Sequence, residues 1–171
     1  NGSPLAGINI AGGTTANLYY NTVNLSASST TTGVFFSTAV YVSTTPTVTL
    51  RNNILVNTSA IGAGGGTASA YYRLSSSPLT TYGATSNNNL FYAGTPSATR
   101  LIFFDATNSD QTLAAYKTRV TPRDASSVTE APTFVSTTFS NANYLHINTT
   151  TATQIESGGT AISGYTDDFD G

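Results

Sequence analysis

NLYYNTVNL at 17–25, TLRNNILVN at 49–57 and TSNNNLFYAG at 85–94 read as three copies of one unit. Each sets polar residues at a bend and follows them at once with an apolar strand. Aligning Asn21-Thr22-Val23 with Asn52-Asn53-Ile54 and Asn88-Asn89-Leu90 gives steps of 31 and 36 residues, the range in which internal repeats mean stacked coils or arrays. Between the copies lie GVFFSTAVYVS (33–43), SAYYRL (69–74) and TRLIFFDA (99–106), so each period carries two or more strands. Alternation points Val48, Leu50, Ile54 and Val56 into the coil and Thr47, Thr49 and Arg51 outward; Leu90 and Tyr92 join the inner set.

The asparagines have a physical reason if the copies stack. Asn tolerates the left-handed backbone of a sharp bend, and its amide can bond the equivalent amide one coil away. Asn52 and Asn88 are therefore expected at stacked bends. Taken one at a time such pairs would be ordinary hairpin turns, but three copies at similar spacing favour a solenoid. One segment breaks the strand pattern: in SDQTLAAYKTRV (109–120) Asp110 can cap a helix, and Leu113, Tyr116 and Val120 share one face. The expected organisation is all-β, a parallel β-helix (β-solenoid) of a few coils over 1–108, a short helix at 109–120, and a terminal coil and tail at 121–171 of the same domain.

Composition agrees. Thr (32), Ser (20), Asn (15) and Gly (15) make 82 of 171 residues, a mixture of strand and turn formers with few helix formers. Charged residues are only 8%, against roughly 25% in typical soluble domains, so neutral polar groups must do the solvating. A net charge of -2 gives no electrostatic reason to expect nucleic acid as partner, and no apolar run approaches bilayer length, so no membrane insertion is expected. The absence of Cys removes disulfides and thiolate metal sites. A start at Asn1-Gly2-Ser3 and the lack of any Met lead us to expect a piece of a longer product.

NNNLFYAG (87–94), DQTLAAYKTRVTPRDASSVTEAPTFVS (110–136) and NYLHINTTTATQIESGG (143–159) carry a resemblance. Together they resemble the C-terminal part of bacterial right-handed parallel β-helix proteins of the pectate-lyase-like superfamily. Ser127, Val128, Pro132, Phe134, Val135, Leu145, His146 and Ile147 occupy the places of its terminal element. The resemblance spans about 39–171 and implies a right-handed solenoid and a secreted or cell-surface setting. That superfamily hosts lyases, hydrolases, adhesins and passive stalks, so function has to come from sites.

Carbohydrate-active sites need clustered carboxylates as calcium ligands or as acid and base. The first 104 residues hold no Asp or Glu; the eight acids are Asp105, Asp110, Asp124, Glu130, Glu156, Asp167, Asp168 and Asp170. Lys117 is the only Lys, and His146, the only His, should face opposite to Leu145 and Ile147; with no second His and no Cys, a zinc site is not expected. Asp167, Asp168 and Asp170 crowd the terminal TDDFDG, where calcium is the candidate cation and a solvated acidic end the plainer reading. The Gly-rich IGAGGGTASA (61–70) has no following Lys or helix and reads as a loop. Alternation turns one ring outward in each of the pairs Tyr19-Tyr20 and Tyr71-Tyr72, where it could stack on surface glycans or fill an interface.

The sequence thus leads to a non-catalytic extracellular structural or adhesive module. Its expected partners are neighbouring coils or other copies joined end to end into fibres. The alternatives are a carbohydrate lyase or hydrolase and an ice-binding solenoid; the last requires a flat Thr ladder and hence constant coil length.

Overall fold

The computed structural model describes residues 4–74 and 79–166. Its elements are β1 (Leu5–Ile10), β2 (Thr15–Tyr19), β3 (Thr22–Leu25), β4 (Phe35–Val42), β5 (Thr47–Arg51), β6 (Ile54–Asn57), β7 (Gly66–Arg73), β8 (Leu90–Tyr92), β9 (Arg100–Phe104), β10 (Ser109–Asp110) and α1 (Leu113–Val120). They form a parallel β-solenoid of about three turns. One sheet runs β1-β4-β7-β9 with β10 antiparallel at its edge, a second pairs β2 with β5, and a third runs β3-β6-β8. Every other strand pairing is parallel, as expected where each coil lies on the next.

The register lengthens the first step of the sequence alignment by one residue and keeps the second. Thr22 pairs with Ile54 and Ile54 with Leu90, so Asn21 stacks on Asn53 at a step of 32 residues and Asn53 on Asn89 at 36. Facing is a separate matter: the left-handed residue Asn52 breaks the alternation between β5 and β6, so inward parity does not carry across that corner. Val48 and Leu50 lie in the core as expected, but in β6 and β8 the core residues are Leu55 and Phe91. Ile54, Val56, Leu90 and Tyr92 point to the other side, where Ile54 and Tyr92 are half-buried and Val56 and Leu90 buried. Ser126, Val128, Gln154, Ile155, Gly158 and Gly159 of the C-terminal segment gather there around Ile54.

The first sheet departs from strict alternation in a repeated way. Ala39 and Val40, Ala70 and Tyr71, and Ile102 and Phe103 are all core residues although adjacent in pairs. The backbone register passes over this same row, Gly7, Ala39, Ala70 and Ile102. The strands therefore switch facing at that row, where β1, β4 and β7 carry Gly or Ala and β9 carries Ile102. At Gly7 a Cβ would lie 2.4 Å from Val23 Cγ1 and 2.8 Å from the Ala39 carbonyl oxygen, closer than any methyl tolerates.

Asn57, buried inside the coil, has its amide fully engaged. Asn57 donates to the Ser69 carbonyl at 2.9 Å and to Ser37 Oγ at 3.1 Å, and its Oδ1 accepts from the Ser59 amide at 3.1 Å. The far end of the stack is closed by α1, whose Tyr116 ring packs 5.2 Å from Phe91 and 5.3 Å from Phe103. Leu113, Tyr116 and Val120 form its inner face as the spacing required. Its cap is Thr112, whose Oγ1 accepts from the Ala115 amide. Asp110, expected in that role, sits in β10 and takes Arg119 in a two-point pair at 2.5 and 2.8 Å, a geometry that holds a guanidinium better than a cap would.

Candidate functional site

One corner recurs in every coil and organises most of the chain's polar chemistry. Tyr20, Asn52 and Asn88 hold left-handed backbone, with φ of 58°, 57° and 59°. Each is followed by a residue of the inner row, Asn21, Asn53 and Asn89. In that row the acceptor of one rung takes the donors of the rung before. Asn53 Oδ1 accepts from the Asn21 backbone N–H and Nδ2, both at 3.0 Å. Asn89 Oδ1 accepts from the same groups of Asn53 at 3.0 and 2.9 Å.

The row ends on Asp124, fully buried and itself left-handed at φ 54°. Its Oδ1 accepts from Asn89 Nδ2 at 2.9 Å and Ser127 Oγ at 2.7 Å. Its Oδ2 accepts from the Tyr82 hydroxyl at 2.5 Å and the Tyr116 hydroxyl at 3.0 Å. Burial first, and then the charge of Asp124, push both phenols well above the usual tyrosine range, so they remain neutral donors. Four donors around a sealed carboxylate make a structural terminus for the ladder.

The outer row clasps the C-terminal segment. Asn52 donates to the Thr160 carbonyl at 2.7 Å and accepts its amide at 3.0 Å. Asn88 donates to the Gly158 carbonyl at 2.9 Å. The Tyr20 hydroxyl donates to the Thr160 carbonyl and accepts the Ile162 amide at 3.0 Å, while Tyr19 meets Tyr165 edge to face at 5.3 Å. Between clasp and coil lies a cavity of about 150 Å³.

The remaining acids with mapped contacts also hold backbone. Asp105 accepts from the Thr107 and Asn108 amides and the Asn108 side chain. Glu130 accepts from the Thr153 hydroxyl and the Gln154 amide; slight burial works against its charge, but these bonds outweigh it and hold its carboxyl below the usual range. Among the described residues no three His, Asp or Glu side chains gather as metal ligands. Asp167, Asp168 and Asp170, the candidate calcium ligands, lie outside the described residues.

The four tyrosines singled out by sequence separate. Tyr71 is buried in the core, its hydroxyl pushed up to about 12 chiefly by burial, so its ring is not open to a ligand. Tyr19 and Tyr20 belong to the clasp. Tyr72 faces outward, half-buried, in a row that sequence reading missed: its ring lies 5.2 Å from Tyr41 and 4.9 Å from Phe104, and Phe36 stacks on Phe104 at 6.4 Å. The signal was present, because Tyr41, Tyr72 and Phe104 are register partners in β4, β7 and β9. Half-buried His146 lines an open groove of about 870 Å³ with Phe139, Tyr144 and Ile147. Chemically, the corner bears load and the aromatic row offers a face for stacking contact. No family model, curated protein or solved structure matches the chain.

Proposed function

We propose that this chain is a non-catalytic structural or adhesive module of an extracellular surface protein, in which a stiff solenoid carries contact faces. The observation behind this reading is the employment of Asp105, Asp110, Asp124 and Glu130: each accepts hydrogen bonds that hold the chain's own architecture. A lyase or hydrolase needs carboxylates left free to trade protons or hold a metal at a substrate. The coil step changes from 32 to 36 residues, which disfavours the flat Thr ladder of an ice binder. The resemblance of about 39–171 to pectate-lyase-like β-helix proteins supports a secreted setting. Partners fitting this reading are neighbouring coils and surface glycans, the latter through Tyr41, Tyr72 and Phe104.

The test is incubation with uronate-rich and neutral polysaccharides, with and without calcium, scored for unsaturated or reducing ends. No release is expected. Reproducible turnover that disappears in Glu130→Gln or Asp105→Asn, with the fold retained, would overturn the reading.

A further inference from the structure

The first coil is less covered than the second at four matched core positions, Leu18 beside Leu50 being the buried exception. Ile8, Ile10, Ala16 and Val23 are only partly buried, while their register partners Val40, Val42, Val48 and Leu55 are fully buried. The missing cover lies on the side away from the second coil, where β1, β2 and β3 have no strand partner among the described residues.

The asparagine row says what would fit there. Its hydrogen bonds are directional: Oδ1 of each rung accepts from the rung before, and Nδ2 also reaches back to an earlier carbonyl, Leu18 for Asn53 and Leu50 for Asn89, both at 2.9 Å. Asn21 breaks the pattern in both respects. Its Oδ1 accepts nothing among the described residues, and its Nδ2 turns instead to the nearby Tyr19 carbonyl at 3.1 Å. The first coil therefore offers an apolar face with one unused acceptor, matched to a parallel rung that supplies a backbone N–H and an amide NH₂.

A second copy supplies neither group. Its own first coil presents the same acceptor, and two acceptors repel. Its far end is covered by α1, and the last rung there is the Asp124 carboxylate, again an acceptor. From this geometry we propose that the open face of the first coil seats a further coil of the same polypeptide path, entering parallel and one step of 32 residues earlier, with an asparagine at the rung above Asn21. This rests on the structural-module reading and specifies one of its contacts.

Hydrogen exchange on the unmodified 171-residue chain and on a chain carrying a second copy of residues 5–36 before Leu5 tests it. In the unmodified chain, sedimenting as a monomer, amides of β1–β3 should exchange about tenfold or more faster than those of β4–β6. The added coil should slow β1–β3 to the β4–β6 level, and Asn21→Ala within the added copy should remove most of that protection. Equal protection of β1–β3 in a monomer would overturn the proposal, and this arm decides even if the extended chain does not fold. A stable dimer that protects β1–β3 would make a second copy the occupant, and an alanine rung as protective as asparagine would show that the ladder does not select. None of these readouts depends on whether a polysaccharide is cleaved, so failure here is distinct from failure of the non-catalytic reading.

Discussion

Replacing Asn53 by Ala removes four hydrogen bonds at once. Oδ1 loses the Asn21 backbone N–H and Nδ2, and Nδ2 loses the Leu18 carbonyl and Asn89 Oδ1, all at 2.9 to 3.0 Å. At roughly 1 kcal/mol net per bond the ceiling is about 4 kcal/mol. Part is returned, because Asn89 Oδ1 keeps the Asn53 backbone N–H and Asn21 is partly exposed to water. We expect a loss of about 2 to 4 kcal/mol, or a fall in Tm of roughly 5 to 15 °C for a domain of this size. The matched control is Asn52→Ala, one residue earlier on the outward row. It loses two exposed bonds to Thr160 and places Ala at φ 57°, at a combined cost of about 1 to 2 kcal/mol. Urea unfolding followed by circular dichroism, with equal m-values, reads both. If Asn52→Ala proves the more destabilising, the assignment of load to the inner row is refuted.

The same register makes Leu55→Ala cost about 2 to 5 kcal/mol and Ile54→Ala clearly less, since Leu55 is fully buried in the core and Ile54 half-buried beneath the C-terminal segment; thermal melts of the pair check this. Tyr71, Tyr82 and Tyr116 have hydroxyls raised above the ordinary value of 10.0. Their neutral burial therefore stabilises fully below pH 10 and progressively less as pH climbs from there. Ultraviolet titration should show these three of the ten tyrosines ionising only with unfolding, and free titration of all ten in a folded chain would contradict it. Glu130, lowered from 4.5, works in the opposite sense: its hold on residues 153 and 154 is present above that pH and is lost as pH falls through the folded value. Exchange of the Gln154 amide should accelerate there in the wild type and be insensitive to pH in Glu130→Gln once intrinsic exchange is corrected for.

Asparagine beside an apolar run, repeated at solenoid spacing, made the fold legible in the sequence. The register was harder because two polar residues sit at each corner, Asn52-Asn53 and Asn88-Asn89. Both have work to do: the first takes the left-handed turn and the second builds the ladder. Alternation carried from Val48 and Leu50 straight across this corner therefore puts Ile54 and Val56 inward, whereas the left-handed residue Asn52 resets the parity and the core residue is Leu55. LeuPheTyr at 90–92 is apolar throughout, so alternation had nothing to correct the facing there. Tyr71 and Tyr72 could not be sorted by period alone because the strand switches facing at Ala70. The clasp was invisible for a different reason: its partners stand 108 residues apart in Asn52 and Thr160, and the C-terminal segment bears no periodic signal. The structural role of Asp124 depends on Tyr82 and Tyr116 meeting it through tertiary packing, which no local pattern announces.

The inner ladder, the outer clasp and the open first coil all depend on one register, in which Thr15 lies directly beside Thr47. The chain has no cysteine, so an engineered pair reports without background. Neighbouring positions on paired strands meet the Cα separation of about 4.4 to 6.8 Å that a disulfide needs, while a partner two residues along the strand lies beyond it. Oxidation of a Thr15→Cys/Thr47→Cys chain should form an intramolecular disulfide readily with the fold intact, and a Thr15→Cys/Thr49→Cys chain should form little. Efficient bridging to position 49 with none to 47 would contradict the register and, with it, the ladder that closes on Asp124.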